Sequence, residues 1–128
     1  MLLKESICAI NDNSGGIWLK LFHIYGGWNH DTAHVNTFIK GSIQKIKPPK
    51  RGFHKYRYCP VRKGFIFKSF IFNARYNDVK QDGSVWYNTT NDVCLLIRRR
   101  FLKGTRVFGM CSTRVLYYKF LILFTEQF

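Results

Sequence analysis

Hydrophobic and polar residues alternate over short stretches of this chain, and clusters of Gly, Asn, Asp and Ser separate these stretches. Alternation with a period of two is typical of β-strands that are buried on one face, and the separating residues are those that form turns. In the stretch 38–46, for example, the even-numbered residues from Phe38 to Gln44 share one face and the odd-numbered residues from Ile39 to Lys45 share the other. The pattern predicts strands at 7–10, 17–25, 38–46, 65–72, 85–87 and 93–97.

Short strands that recur about every ten residues predict a mainly β fold, namely a small closed five-stranded barrel of the OB or SH3 type. Closure removes the free edges of a sheet, which helps so short a chain to be stable. We expect a single domain over residues 1–128. Asp82-Gly83 predicts a hairpin turn, 29–34 predicts a loop, and Ser112 is placed to cap a short C-terminal helical segment over 113–118.

The composition adds a strong positive charge to this picture. Lys and Arg number 21 against 7 Asp and Glu, which gives a net charge of +14. A surface of this kind attracts an extended polyanion, nucleic acid first and an anionic membrane second. No apolar run reaches the roughly 18 residues that a membrane-spanning helix needs, so we expect no membrane span.

A basic arm is predicted at 45–63, which contains no acidic residue. Its prolines prevent regular strand pairing at several points, so the arm should project from the barrel. Cations neutralise phosphates and the interleaved aromatic rings stack on unpaired bases, which favours RNA contact over a solvated loop without a partner. The cations of the arm are Lys45, Lys47, Lys50, Arg51, Lys55, Arg57, Arg62 and Lys63.

A second basic cluster consists of Arg98, Arg99 and Arg100, followed by Lys103. Three successive arginines cannot share one face of a regular element, but a turn at the end of a strand would spread them over a curved backbone. Guanidinium groups match phosphate oxygens in pairs. RNA contact is therefore favoured here over a charged loop without a fixed partner.

The chemistry of an enzyme or a metal site finds little support in the sequence. The glutamates are only two, the aspartates stand in turn-like surroundings, and no nucleophile motif is present. The four cysteines lack the spacing of a zinc site, and His30 and His34 lie in the predicted loop. We expect no catalytic residue, metal or cofactor, and we expect reduced thiols, although an even count also allows two disulfides.

Three stretches in a fixed order carry a family resemblance: Asp12-Asn13-Ser14-Gly15-Gly16, Asp82-Gly83-Ser84, and Gly104-Thr105-Arg106-Val107-Phe108-Gly109. With the pair Gly26-Gly27, they resemble the fourteenth protein family of the large ribosomal subunit over roughly residues 7–120. The resemblance implies a non-catalytic β-barrel that binds large-subunit rRNA, contributes to a bridge with small-subunit rRNA and contacts neighbouring ribosomal proteins. It also implies that a ribosome-silencing factor docks near Thr105 and Arg106.

The candidate residues follow from the basic clusters and from this resemblance. The loop at Asn13 and Ser14 could offer amides and side chains to RNA, although capping of its own turn is equally consistent. Thr105, Arg106 and Arg114 are assigned to the interface and bridge. The predicted rRNA-binding residues are Asn13, Ser14, Lys47, Lys50, Arg51, Lys55, Arg57, Arg62, Lys63, Lys68, Arg98, Arg99, Arg100 and Lys103.

Several positions depart from the family pattern. Met110 replaces a proline and Val115 replaces an acidic residue, which bears on the docking surface for the silencing factor. Ile17 and Trp18 stand where the family usually has basic residues. We therefore predict that Ile17 and Trp18 face an added protein rather than RNA.

The composition also bears on where the chain works. Phe, Ile, Lys, Asn and Tyr, which an A+T-rich genome favours, supply 50 of the 128 residues, and no leader is evident before the first strand. We expect a mitochondrial ribosomal protein encoded in the organelle. The alternatives are a free-standing barrel that binds single-stranded nucleic acid and a cationic protein that binds anionic membrane surfaces.

Overall fold

The structure, a computed structural model, describes residues 1–48, 61–98, 101–112, 114 and 115. It contains β-strands joined by turns, with no helix among these residues. The strands are β1 (Leu2–Leu3), β2 (Ile7–Ile10), β3 (Gly16–Ile24), β4 (Thr32–Ala33), β5 (Phe38–Ile46), β6 (Ile66–Asn73), β7 (Asn77–Val79), β8 (Val85–Tyr87), β9 (Asp92–Arg98) and β10 (Phe101–Leu102).

Five strands close into a barrel in the order β9, β2, β3, β5, β6 and back to β9. All neighbours in the barrel are antiparallel except β2 and β9, which run parallel. One edge of β9 pairs with β6, and its other edge pairs first with β2 and then with β10. The predicted closed five-stranded barrel is confirmed.

Two short pairings lie outside the barrel. β1 pairs with β4, so the predicted loop at 29–34 contains a two-residue strand. β7 and β8 form a separate hairpin, whose turn is closed by a hydrogen bond from the Lys80 N–H to the Ser84 carbonyl at 2.9 Å. Gly83 has a φ of 84° in this turn, a conformation that favours glycine. The Asp82-Gly83 hairpin is confirmed, but β7 was not predicted, because Asn77 and Asp78 have low strand propensity.

The barrel interior holds one hydrophobic core, built from the inward residues of its strands. Leu19, Leu21, Ile39 and Ile43 are fully buried there. A Cβ added at Gly41 would lie 2.6 Å from the carbonyl oxygen of Lys20. Only glycine therefore lets β3 and β5 approach this closely.

A second core lies on the opposite face of β6 and β9. Phe70, Phe72 and Leu96 point away from the barrel interior and are covered by the segment that follows β10, which buries Val107 and Val115. Both faces of β6 are thus buried from Ser69 to Asn73, whereas Phe65 and Ile66 are exposed. Burial of both faces explains why 70–72 is continuously apolar rather than alternating.

Two predicted features lie largely outside the described residues. Residues 49–60 of the basic arm are among these, as are 113 and 116–118 of the predicted helical segment. At the start of that segment, the backbone N–H of Val115 donates to the carbonyl of Ser112 at 3.1 Å.

Candidate nucleic-acid interface

The loop 11–16 and the segment 103–109 lie side by side at one end of the barrel. The side chain of Asn13 joins them, because its Oδ1 accepts hydrogen bonds from the backbone N–H groups of Thr105 at 2.7 Å and of Arg106 at 3.1 Å. Its Nδ2 donates to Thr105 Oγ1 at 2.7 Å. Two motifs that are about ninety residues apart in the chain therefore form one surface.

Asp12 anchors this surface to the barrel. Its side chain is 1% exposed; Oδ1 accepts from the Ser14 N–H at 3.0 Å and from the Ser14 hydroxyl, and Oδ2 accepts from the Leu95 N–H at 2.9 Å. Burial raises the pKa of Asp12 above its usual value, while the hydrogen bonds from Ser14 and Leu95 act in the opposite direction. Asp12 and Val107 also form an isolated β-bridge.

Glycines shape the loop in the two ways that the sequence suggested. Gly15 has a φ of 98°, which a side chain would strain. A Cβ at Gly16 would lie 2.6 Å from Ile10 Cδ1, so the position needs close approach. Gly104 is likewise restricted, because an added Cβ would collide with Asn13 Oδ1.

The side chains of Asn13 and Ser14 are thus engaged within the protein. The Asn13 amide makes three hydrogen bonds with Thr105 and Arg106. The Ser14 hydroxyl donates to Asp12. Their contact with RNA stays a prediction. Ser14 is bonded within its own turn, to Asp12, as the sequence also allowed, whereas the Asn13 side chain bonds the distant segment at Thr105 and Arg106 instead of its own turn.

Lys47 lies beside this loop, at the start of the arm. Its backbone N–H donates to the Gly15 carbonyl at 2.8 Å, and its charge acts to lower the pKa of Asp12. Lys103, whose backbone N–H donates to the Leu95 carbonyl at 2.8 Å, begins the segment that carries Arg106. The structure therefore brings Lys47, Lys103 and Arg106 to the same end of the barrel.

The returning end of the arm joins the barrel through a turn that contains Arg62 and Lys63. The N–H of Gly64 donates to the Ile43 carbonyl at 2.8 Å, which fixes this turn against β5. Other predicted residues of the two basic clusters lie outside the described residues, namely Lys50, Arg51, Lys55, Arg57, Arg99 and Arg100. Arg98 is the last residue of β9, opposite Phe101.

Lys68 and Arg114 are each placed over aromatic rings. The Lys68 ammonium lies 4.8 Å from the ring centre of Tyr25 and 4.6 Å from that of Phe38. The Arg114 guanidinium lies 4.6 Å from the ring centre of Tyr76. Both arrangements are cation–π contacts, which hold the charged groups in place.

Ile17 and Trp18 lie on β3, and Trp18 is 41% exposed. Trp18 is opposite Ala9 on β2 and Lys45 on β5. Two residues further along β3, Lys20 lies in a cross-strand row that begins at Ile7 on β2 and ends at Ile66 on β6. Ile7 and Ile66 are each more than half exposed. Both isoleucines lie in predicted strands, but their exposure was missed because an apolar residue in a strand is expected to be buried.

Few of the cations are neutralised by acids. Two ion pairs form within the described part of the chain, Lys4 with Asp31 at 3.0 Å and Lys20 with Glu5 at 2.5 Å. Two further acids, Asp12 and Asp92, are buried and accept hydrogen bonds from neutral groups. Since cations exceed acids by 14 over the chain, most cations have no carboxylate available, and the surface attracts polyanions.

The described residues also bear on metal binding and on a membrane span. No group of three or more His, Cys, Asp or Glu residues among them could hold a metal ion, and His30 Nε2 is 3.1 Å from the Gly26 carbonyl. Cys8, Cys94 and Cys111 are free and buried, and burial raises the pKa of Cys8 and of Cys111 to about 12. No helix in the described ranges is long and apolar enough to cross a membrane.

A closed barrel with a large excess of cations on its surface fits the class of nucleic-acid-binding proteins. A family model for ribosomal protein L14p/L23e matches residues 1–125. The chain belongs to this family. It is a structural constituent of the large ribosomal subunit that binds rRNA.

Proposed function

We propose that this chain is a structural protein of the mitochondrial large ribosomal subunit. It is a single non-catalytic domain that holds rRNA through the arm at 45–63 and through a second patch at Arg98, Arg99, Arg100 and Lys103. The observation that carries the proposal is the family match over residues 1–125, together with a charge of +14 that few acids offset.

The geometry supports rRNA contact at the end of the barrel where the two motif loops meet. Lys47, Lys103 and Arg106 lie there on backbone segments fixed by hydrogen bonds. The backbone under these cations is already ordered, and each phosphate contact releases counterions. This end therefore presents positive charge to a folded RNA.

Thr105, Arg106 and Arg114 contribute, in our proposal, to the bridge with small-subunit rRNA and to the surface for a silencing factor. The assignment of Thr105 and Arg106 is supported by the hydrogen bonds that their backbone N–H groups donate to Asn13 Oδ1, which fix this segment. Arg114 contacts Tyr76, so it belongs to the surface near the β7–β8 hairpin. Ile17 and Trp18 face a neighbouring protein, which the exposure of Trp18 supports.

A mitochondrial origin rests on composition, because residues favoured by an A+T-rich genome make up 50 of the 128. The test is a sucrose gradient of organelle lysate probed for the chain. Sedimentation with the large mitochondrial subunit is the expected result. Sedimentation with cytosolic ribosomes, or apart from any ribosome, would contradict the assignment.

The RNA interaction is tested by charge removal. We expect Arg99→Ala with Arg100→Ala to weaken association with large-subunit rRNA and to reduce the slope of log K against log salt by about one for each phosphate that is no longer neutralised. The matched control is Lys4→Ala with Lys20→Ala, which removes the same charge from side chains that are already paired with acids. Equal salt slopes in both variants would show that the arginines bind no phosphate.

A further inference from the structure

The β7–β8 hairpin carries several exposed apolar and aromatic side chains. Val79 is 66% exposed, Val85 is 61% and Tyr87 is 53%, while Tyr76 and Trp86 are about 40% exposed. The hairpin is a two-stranded sheet that pairs with no barrel strand in the described part of the chain. Exposed side chains of this kind, clustered on one small element, mark interaction surfaces.

The rings of the hairpin are held in place by cations of the same chain. Arg75 Nε donates to the Tyr87 hydroxyl at 3.2 Å, and the Lys80 ammonium lies 5.9 Å from the ring centre of Trp86. Trp86 Nε1 also donates to Asn88 Oδ1 at 2.9 Å. These contacts restrict the rotation of the rings, and restricted side chains lose less entropy on binding.

Both ends of the hairpin are fixed as well. At the tip, Asp82 Oδ1 accepts from the N–H of Ser84 at 3.0 Å and from its hydroxyl at 2.7 Å. At the base, the Arg75 N–H donates to Asn91 Oδ1 at 2.8 Å, and the Asn91 carbonyl accepts from the Ala9 N–H on β2 at 2.9 Å. The hairpin is therefore a rigid extension of the barrel.

The charges within the hairpin cancel. Residues 75–87 contain two basic residues, Arg75 and Lys80, and two acidic ones, Asp78 and Asp82, so this segment contributes nothing to the net +14. An RNA surface requires an excess of cations. The cations and acids of the hairpin itself cancel, and Arg114 adds one cation beside Tyr76 near its base. Exposed Trp and Tyr on an element whose own charges cancel are typical of the residues that dominate protein–protein binding energy.

We propose that the β7–β8 hairpin is the docking element for a neighbouring protein of the ribosome, one that presents an apolar surface without a strong negative charge. The inference rests on the proposed function, because the partner is a component of the same particle. Trp86, Tyr87, Val79 and Val85 form the binding surface, and Arg75 and Lys80 orient the rings.

Rebinding to large-subunit particles that have been stripped of this chain tests the docking surface. Trp86→Ala with Tyr87→Ala is expected to weaken rebinding at least tenfold without changing the salt slope, because the two rings bind through apolar surface and carry no charge. The control removes two exposed aromatic residues elsewhere, Trp28→Ala with Phe22→Ala, and is expected to rebind like the unmodified chain. Equal affinity of the two double variants, or a reduced salt slope in the hairpin variant, overturns the inference.

A second measurement keeps both rings in place. Val85→Cys in a Cys59→Ser chain offers one accessible thiol for a benzophenone label, since Cys8, Cys94 and Cys111 are buried. After rebinding and irradiation, an adduct that survives ribonuclease is expected, and a ribonuclease-sensitive adduct or no adduct overturns the inference. If the unmodified chain fails to rebind at all, the proposed function fails instead, so the two failures are distinguishable.

Discussion

The carboxamide of Asn13 and the backbone and hydroxyl of Thr105 are joined by two hydrogen bonds of 2.7 Å each, one in each direction. The pair spans 92 residues of sequence and connects the turn after β2 to the segment after β10. An amide is required because the side chain both accepts and donates. Two of the motifs that carry the family resemblance are therefore one structural unit.

We expect Asn13→Ala to lower the free energy of unfolding by about 1–3 kcal/mol, because it removes three hydrogen bonds, two of them from backbone N–H groups. Asn13→Asp keeps the acceptor for Thr105 and Arg106 but loses the donor, so its effect should be smaller. Urea denaturation of the three proteins measures the differences. An Asn13→Ala chain as stable as the unmodified one would mean that the two loops are held together by other interactions.

Gly104→Ala should also be destabilising, by about 1–3 kcal/mol, because the new methyl group collides with Asn13 Oδ1. In an Asn13→Ala background the colliding atom is absent, so the same substitution should cost clearly less. Denaturation of the two single variants and the double variant gives this coupling as a double-mutant cycle. Additive effects would show that Gly104 is needed for some reason other than the Asn13 side chain.

The barrel could be predicted from the sequence because its strands alternate and its turns are marked by Gly, Asn and Asp. The strands 7–10, 38–46 and 85–87 agree with the structure in both bounds. The second core could not be predicted, because its partner is a segment of irregular structure after β10 that has no periodicity to detect.

The basic residues of the candidate site could be predicted from the sequence, but their spatial arrangement could not. Basic clusters identify a ligand class from charge alone, whereas the pairing of Asn13 with Thr105 depends on how distant segments fold together. The hairpin was missed as a surface because its cations and acids cancel, which leaves no charge signal in the sequence. Its exposed rings are visible only once β7 and β8 are seen to lie outside the barrel.

Asp12 and Asp82 make the same local hydrogen bonds in opposite surroundings, and their pH dependence should differ in sign. Each accepts hydrogen bonds from the N–H and hydroxyl of the serine two residues later. Burial raises the pKa of Asp12 above 3.8, whereas the hydrogen bonds from Ser84 lower the pKa of the exposed Asp82 below 3.8. The direction of each shift decides whether ionisation favours the folded state.

For Asp12, the folded state binds more protons than the unfolded state between pH 3.8 and the raised pKa, so its contribution to stability falls as pH rises through that window. For Asp82, the contribution is fully present above pH 3.8 and is lost as pH falls through the lowered pKa. The unfolding free energies of Asp12→Asn and Asp82→Asn, each compared with that of the unmodified chain from pH 3 to 7, measure the two contributions. If both contributions changed with pH in the same direction, the opposite pKa shifts of Asp12 and Asp82 would be contradicted.

Val115 stands where the family resemblance places an acidic residue, and the structure gives a physical reason why this chain has an apolar one. Its side chain is 2% exposed and packs in the second core with Phe72 and Cys111. An unpaired carboxylate there would lose its hydration, and burial of an uncompensated charge is among the most destabilising substitutions. Val115 therefore fills a core and is not available to a docking partner.

We expect Val115→Glu to lower the free energy of unfolding by about 3 kcal/mol or more at pH 7. The matched control is Val79→Glu, the same substitution at a side chain that is 66% exposed, which should change stability by less than about 0.5 kcal/mol. Thermal and urea denaturation of both variants provide the comparison. If Val115→Glu were as stable as Val79→Glu, the segment after β10 would have to lie away from β6 and β9, and the second core would not exist as described.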